Sequence, residues 1–276
     1  MNRLIYADNA ATTKMSQAAY EAMMRFQLID FANASQPYSF ARNAKNALKE
    51  ARETIARCIN ASPNEIFFTS CGTESDNWVI KGCKCCKIYT SLIEHHAILN
   101  ACIEVALDGT EVNYMPVNHT GIVEPQVLDG VLTENSLVSI MMANNEIGTI
   151  LPIKQLAKIA HSHHSLFHTD AVQAVGHIPV NVRELDVDFL SASAHKFNGP
   201  KGIGFLYIKD GIKINPLISG GTQENSLRAG TENVASIVAM AIALEENTSR
   251  LEENMKYIQG LEDALIPVSY THLRAH

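Results

Sequence analysis

The chain has 276 residues, of which 46% are hydrophobic, and a formal net charge of −7 at pH 7. This composition predicts one large or two modest buried cores, and no apolar run is long enough to span a membrane. The acidic balance argues against a nucleic-acid surface, and residues 1–14 lack the apolar core of a signal peptide, so we expect a cytoplasmic globular protein that acts on small molecules.

Short β-branched or aromatic runs alternate with amphipathic helical stretches along the chain. The pattern is typical of a mostly parallel sheet covered by helices on both faces, a three-layer α/β/α fold. Loops that leave the carboxyl ends of such strands are where chemistry gathers. The predicted strands are 66–69, 87–91, 111–117, 137–142, 166–169, 189–192 and 203–208, and the predicted helices include 38–59, 97–107, 153–161 and 245–265.

Gly72 and Thr73 follow the first predicted strand and open a helix. The backbone N–H groups and the hydroxyl of such a turn can bind a phosphate. The same residues can also be an ordinary helix start.

Six cysteines are too few and too irregularly spaced for a disulfide framework, so we predict reduced thiols. Residues 83–86 contain one CxxC pair. A tetrahedral zinc site needs a second pair of ligands, and none stands at a suitable spacing. We therefore predict a surface loop there and no metal.

His95 lies at the predicted start of a helix, where an imidazole can stack on an aromatic ring and carry protons near neutral pH. The chain has eleven histidines, so a structural role is the commoner alternative. Asn145 follows the strand 137–142, and its side-chain amide can bind a ring hydroxyl or a substrate carboxylate, or simply form part of a turn.

Asp170 and Gln173 lie at the end of the strand 166–169. A carboxylate in this position can pair with a protonated pyridine nitrogen, and the glutamine can reach a ring hydroxyl. The alternative is that Asp170 caps the helix that follows.

Lys196 follows the next strand and precedes the turn at 198–202. A lysine that forms an imine must be held rigidly and partly desolvated, which lowers its pKa. Ser193 and His195 flank it with groups that can bind phosphate. Further on, the polar segment 220–231 places Arg228 and Thr231 where they can serve an anion, in a flexible loop or at a subunit interface.

Together and in this order, the motifs resemble those of the cysteine desulfurases of the NifS/IscS type, in the class V branch of fold-type-I pyridoxal-phosphate (PLP) enzymes. The likeness begins at residues 8–13 (DNAATT) and extends to about residue 265. It implies an N-terminal segment at 1–15 associated with a small domain, the PLP-binding large domain at 16–250, and the start of a mostly missing small domain at 251–267. Residues 268–276 (VSYTHLRAH) match a sequencing adapter, and we interpret them as a cloning scar.

The resemblance also assigns roles around PLP. Lys196 is implied to be the Schiff-base lysine, His95 to stack on the ring and move protons, and Asp170 to contact the pyridine nitrogen. The remaining cofactor residues are Gln173 and Asn145 toward the ring hydroxyl and substrate, Gly72, Thr73, Ser193 and His195 toward the phosphate, and Thr231 toward the phosphate of the partner in a homodimer.

The implied reaction converts L-cysteine to L-alanine and a persulfide, which passes to sulfur-acceptor or scaffold proteins for iron–sulfur clusters or thiolated tRNA. The family's attacking cysteine and its carboxylate-binding arginine match no residue here, so we expect this chain to bind PLP without releasing sulfur. Two alternatives stay open: another class V enzyme, such as an aminotransferase or selenocysteine lyase, and a non-catalytic interaction protein that keeps the fold.

Overall fold

A single sheet of seven strands forms the centre of the structure, a computed structural model that describes residues 5–273. The strands are β1 (Ile66–Thr69), β2 (Lys87–Ser91), β3 (Glu111–Met115), β4 (Leu137–Ser139), β5 (Leu166–Asp170), β6 (Phe189–Ser193) and β7 (Gly204–Ile208). Their order across the sheet is β1-β7-β6-β5-β4-β2-β3. Only β7 runs against its neighbours β1 and β6, while the other pairs are parallel.

Helices cover both faces of this sheet. The helices are α1 (Gln17–Leu28), α2 (Arg42–Cys58), α3 (Gly72–Gly82), α4 (His96–Leu107), α5 (Pro125–Val131), α6 (Ile153–Ser162), α7 (Val182–Leu185), α8 (Val234–Ser249) and α9 (Leu251–Leu273). One face packs on α3 and α4 around Trp78, and the other on α1, α2, α5, α6 and α8 around Phe167. Because both faces are covered, every residue of β1, β4, β6 and β7 is buried. The three-layer prediction is confirmed.

Several element boundaries differ from those predicted. The strand β4 stops at Ser139, yet the N–H groups of Ile140 and Met142 still donate to the carbonyls of His168 and Asp170 at 3.1 and 2.8 Å. The chain therefore runs on beside β5 toward the end of the sheet. The strands β5 and β6 are each one residue longer than predicted. The predicted helix 38–59 is split into a short turn at Ser39–Ala41 and α2.

The prediction of a single helix over residues 245–265 is wrong, because α8 and α9 meet at Arg250. Three residues before the break bond back to their own helix: Asn247 and Thr248 donate to the carbonyls of Ala243 and Leu244, and Ser249 donates to that of Glu246. Side-chain bonds of this kind compete with helix continuation.

The helix α9 has large apolar side chains exposed to solvent, with Tyr257 and Leu265 more than 60% exposed. The segment interpreted as a cloning scar begins inside this helix, and its residues 274–276 lie outside the described part of the chain. Within residues 5–273, no helix combines the length and apolar character needed to cross a membrane.

Candidate active site

A cavity of about 540 Å³ lies at the carboxyl ends of the parallel strands. It brings together nine of the ten predicted site residues. These nine are Gly72, Thr73, His95, Asn145, Asp170, Gln173, Ser193, His195 and Lys196. Thr231 does not line this cavity.

Lys196 ends the short turn Ala194–Lys196 that continues from β6. Its Nζ donates to the backbone carbonyls of Ala10 and Ala11 at 2.5 and 3.0 Å. Partial burial lowers the pKa of Lys196, although the charges of Asp170 and Asp8 oppose this effect. The lysine is thus held in place by neutral acceptors and has a more weakly basic amine than an exposed lysine.

The N-terminal segment forms a wall of the cavity, which the sequence motifs did not predict. Thr13 donates from its N–H and its hydroxyl to the carbonyl of His195 at 2.8 and 2.9 Å, and its hydroxyl accepts the N–H of Asn198 at 2.8 Å. Gln173 donates from its side chain to the carbonyl of Ala10 at 2.9 Å. These bonds tie the segment to the same turn that carries Lys196.

Asp170 is the last residue of β5 and is 5% exposed. Its Oδ1 accepts the N–H of Val172 at 2.9 Å within a turn, and no helix begins directly after it, so the alternative of a helix cap is wrong. Burial raises the pKa of Asp170, while the bond to Val172 and the charges of His95 and Lys196 oppose this rise. A buried carboxylate on a cavity wall is suited to pair with a cationic ring nitrogen.

His95 precedes α4 and caps it, since its Nδ1 accepts the N–H of Ala97 at 3.1 Å. In the neutral ring this bond leaves the proton on Nε2. The cap therefore fixes both the orientation and the tautomer of an imidazole on the cavity wall. The neighbouring His96 is exposed.

The opposite side of the cavity is suited to an anion. Gly72 and Thr73 begin α3, whose first N–H groups have no partner inside the helix. A Cβ on Gly72 would lie 2.6 Å from Cγ2 of Val172, so the backbone approaches that wall closely. The Ser193 hydroxyl is buried and has no hydrogen-bond partner among the described residues. These donors fit the phosphate group of PLP.

The amide of Asn145 lines the cavity and donates to the Glu146 carboxylate at 2.9 Å. Its neighbour Asn144 is buried and holds the turn, because its Oδ1 accepts the N–H groups of Glu146 and Ile147 at 2.8 and 3.0 Å. Asn144 therefore stabilises the turn, and its neighbour Asn145 presents its amide to the cavity.

The segment 220–231 is anchored rather than a plain flexible loop. Glu224 pairs with Arg52 at 2.6 Å, and Arg228 donates two hydrogen bonds to Glu74 at 2.8 and 3.1 Å. Nε and Nη2 of Arg228 are thus occupied by Glu74, and its service to a further anion stays a prediction. Thr231 lines a separate, smaller cavity and stands apart from the nine residues above.

The sequence assigned no role to nine other residues of the cavity wall: Asp8, Ala10, Ala11, Cys71, Asp76, Met141, Ala143, Glu146 and Val172. One of them could have been found from spacing. Asp76 stands three residues after Thr73 on α3, and residues three apart share a helix face.

Comparisons with known proteins identify the family of the chain. The family described as "Aminotransferase class-V" matches residues 5–268. The chain is 46% identical to a cysteine desulfurase IscS of Methanosarcina thermophila, covering 100% of this chain and 71% of that one. It is 50% identical to a cysteine desulfurase IscS of Dictyoglomus turgidum, and the match covers 96% of this chain and 69% of that one.

Solved structures give the same result. A NifS-like protein superposes with a TM-score of 0.93 at 40% identity, covering 95% of this chain and 74% of that one. A structure titled SspA in complex with cysteine has a TM-score of 0.85 at 38% identity, and the match covers 88% of this chain and 72% of that one. The chain therefore belongs to the class V aminotransferases and, within them, to the cysteine desulfurases of the IscS and NifS type.

The unpaired hydroxyl of Ser193 leads to a prediction. In the absence of cofactor, we expect Ser193→Ala to be as stable as the wild-type chain or about 1 kcal/mol more stable, because the substitution removes a buried hydroxyl that has no hydrogen-bond partner. The same change should reduce the rise in melting temperature that inorganic phosphate produces. Thermal unfolding with and without phosphate measures both effects.

Thr169→Val is the matched control. The Thr169 hydroxyl is also buried without a partner in the described part of the chain, but it does not line the cavity. We expect this control to retain the full phosphate effect. A full phosphate effect in Ser193→Ala would contradict the phosphate assignment.

Proposed function

We propose that this chain is the cofactor-binding part of a PLP-dependent cysteine desulfurase. The observation that carries the proposal is Lys196, whose partly desolvated Nζ is held at the mouth of a cavity that also presents a buried carboxylate and an anion-binding helix start. When bound, PLP supplies an electron sink for bonds at the α-carbon of an amino acid.

The described residues divide into three groups around such a cofactor. Asp170 would hold a positive charge on the ring nitrogen, and His95 would lie against the ring. Thr73 and Ser193, with the N–H groups that open α3, would hold the phosphate. These assignments are supported by the cavity lining and by the buried hydroxyl of Ser193 that lacks a partner within residues 5–273.

Two groups are suited to move protons. Because burial lowers the pKa of Lys196, more of its amine is unprotonated near neutral pH than in an exposed lysine, and Nζ can accept a proton there. His95 offers a second nitrogen, Nε2, whose orientation is fixed by the cap on α4. Both groups line the same cavity.

We propose L-cysteine as the substrate, because relatives at 46 and 50% identity are named cysteine desulfurases and one solved relative is titled as a complex with cysteine. The carbon–sulfur bond of cysteine breaks, a thiolate takes up the sulfur as a persulfide, and the carbon skeleton leaves as L-alanine. The persulfide would then pass to sulfur-acceptor or scaffold proteins. We place this reaction in the cytoplasm, where thiols stay reduced, since all six cysteines are free.

We further propose that the enzyme acts as a homodimer. Thr231 lies away from the cavity of its own chain, as expected of a residue that serves a partner's phosphate. A second support is the exposed aromatic pair Phe31 and Phe40, 65 and 53% exposed, whose rings stack edge to face with centroids 5.3 Å apart. Exposed apolar groups of this size are typical of interfaces.

The cofactor assignment is tested with Lys196→Ala. The chain mixed with PLP should develop a visible absorption band, and Lys196→Ala should lack it, because no other lysine within residues 5–273 lines the cavity. Lys201→Ala, five residues along the same turn and exposed, is the matched control and should keep the band. Persistence of the band in Lys196→Ala would contradict the proposal. Because no residue here matches the family's attacking cysteine, we expect this chain to form no alanine from cysteine; with the band present, amino transfer to a keto acid would favour an aminotransferase over a desulfurase.

The shared site is tested by subunit mixing. Lys196→Ala and Thr231→Ala chains each lack one part of a site. When the two variants are mixed at random, some dimers contain one chain of each kind, and one of the two sites in such a dimer has both Lys196 and Thr231. About a quarter of the wild-type band should therefore return at limiting PLP. If Thr231 served its own chain, both sites of the mixed dimer would stay defective, and the absence of any recovery would overturn the shared site.

A further inference from the structure

Three carboxyl groups are buried close to the cavity on different elements. Asp76 on α3 is 1% exposed, and Glu94 ahead of α4 and Asp170 at the end of β5 are each 5% exposed. Burying an ionised carboxylate without a partner is costly, so buried groups of this kind either pair with a cation or take up a proton. The three groups therefore need separate explanations.

Asp76 is the least satisfied of the three. It lines the cavity, and its Oδ1 has no hydrogen-bond partner within residues 5–273. The basic group close to it is His168, whose Nε2 lies 3.7 Å from Oδ1, beyond hydrogen-bond distance. Asp76 thus presents a buried polar atom at the wall of the site that the proposed mechanism does not use.

His168 does not neutralise Asp76. The ring is fully buried, with Nδ1 2.8 Å from the Ser139 hydroxyl and Nε2 3.0 Å from the Ser191 hydroxyl. A neutral imidazole satisfies both contacts, since each hydroxyl can donate or accept. Burial lowers the pKa of His168 to about 3, so the ring is uncharged at neutral pH. The contact between His168 and Asp76 is therefore not an ion pair.

The surroundings of Asp170 and Asp76 are unequal. Asp170 accepts the N–H of Val172 and lies near the Lys196 amine and the His95 imidazole, all of which favour its ionised form. Within residues 5–273, Asp76 has no cation beside it: burial and then the charge of Asp170 disfavour its ionised form, and a hydrogen bond with the Ser191 hydroxyl opposes them only in part. Burial raises the pKa of both carboxyls, and that of Asp76 rises well above its ordinary value.

Glu94 is held differently. Its Oε1 accepts the hydroxyl of Ser91 at 2.5 Å and the N–H of Met141 at 3.1 Å, while burial raises its pKa to about 8. The strands β1 and β6, which also pack on α3, have no titratable side chain, and that of β7, Tyr207, lies in the core on the other face of the sheet. The titratable groups that face Asp76 are Asp170 and His168 on β5, Glu94 ahead of α4, and Cys71 at the start of α3.

We propose that Asp76 is a positioning residue of the active site: it keeps a proton, so that the one negative charge of the Asp76 and Asp170 pair stays on Asp170, on the cavity wall. The inference deepens the proposed function, in which Asp170 faces the ring nitrogen of the cofactor. Deprotonation of Asp76 would place a second charge in the same buried volume and weaken the distinction between the two carboxyls.

The proton on Asp76 can be tested without cofactor by infrared spectroscopy at neutral pH. The carbonyl stretch of a protonated carboxyl should be present in the wild-type chain, and one such band should disappear in Asp76→Asn. Glu94→Gln is the control and should remove a different band. A spectrum of Asp76→Asn with every protonated-carboxyl band intact would overturn the proposal, because the proton would then lie elsewhere.

The pH dependence of stability gives a second test. Wild-type Asp76 is protonated when folded, but it ionises above about pH 4 when unfolded, so its contribution to stability is full below that pH and declines as the pH rises toward the raised pKa of the folded chain. Asparagine does not titrate. The melting temperature of Asp76→Asn relative to wild type should therefore increase between about pH 4 and pH 7. A difference that stays constant with pH would overturn the proposal.

Coupling to Asp170 is tested by repeating this comparison in an Asp170→Asn background. Removing the charge of Asp170 lowers the repulsion on Asp76, so the rise should level off at a lower pH than in the wild-type background. An unchanged pH range would overturn the coupling. Both stability tests use the chain without PLP. A missing visible band would therefore refute the proposed function without affecting the test of the proton on Asp76.

Discussion

The direction of the strands determines where this protein can do chemistry. Both faces of the sheet are covered by helices, so polar groups with a task must lie at an edge of the strands rather than on a face. The strands β1, β2, β4, β5 and β6 end at the same edge, and the residues just beyond them form one cavity. Gly72, His95, Asn145, Asp170 and Lys196 lie far apart in sequence and meet there.

Buried polar groups near that edge differ from those elsewhere in the fold. The buried carboxylates of Glu65 and Glu224 are paired with Arg183 and Arg52, whereas the region near the cavity contains buried carboxyl oxygens and a buried serine hydroxyl without partners among the described residues. Each is unfavourable in an isolated chain. A charged ligand would supply the missing partners of these buried groups. Buried polar groups that lack partners in the absence of a ligand are typical of functional sites.

The sequence predicted the sheet and half of the cavity lining, because strand patterning and the motifs that follow each strand are local signals. The carbonyl contacts of Lys196 were not predicted, since they join residues more than 180 positions apart and depend on backbone atoms that any residue could supply. The pairing of Arg228 with Glu74 was missed because it joins two side chains that lie 154 positions apart in the sequence. The break at Arg250 had a local signal in residues 247–249, which bond back to their own helix. Asp76 was detectable only from its spacing to Thr73.

In the function proposed above, the cofactor binds covalently to Lys196. The most direct test is borohydride reduction of the chain mixed with PLP, followed by proteolysis and mass spectrometry of the peptides. We expect one reduced pyridoxyl group per chain, on the peptide that contains Lys196. A label on another lysine, or one spread over the surface lysines with none at Lys196, would contradict it.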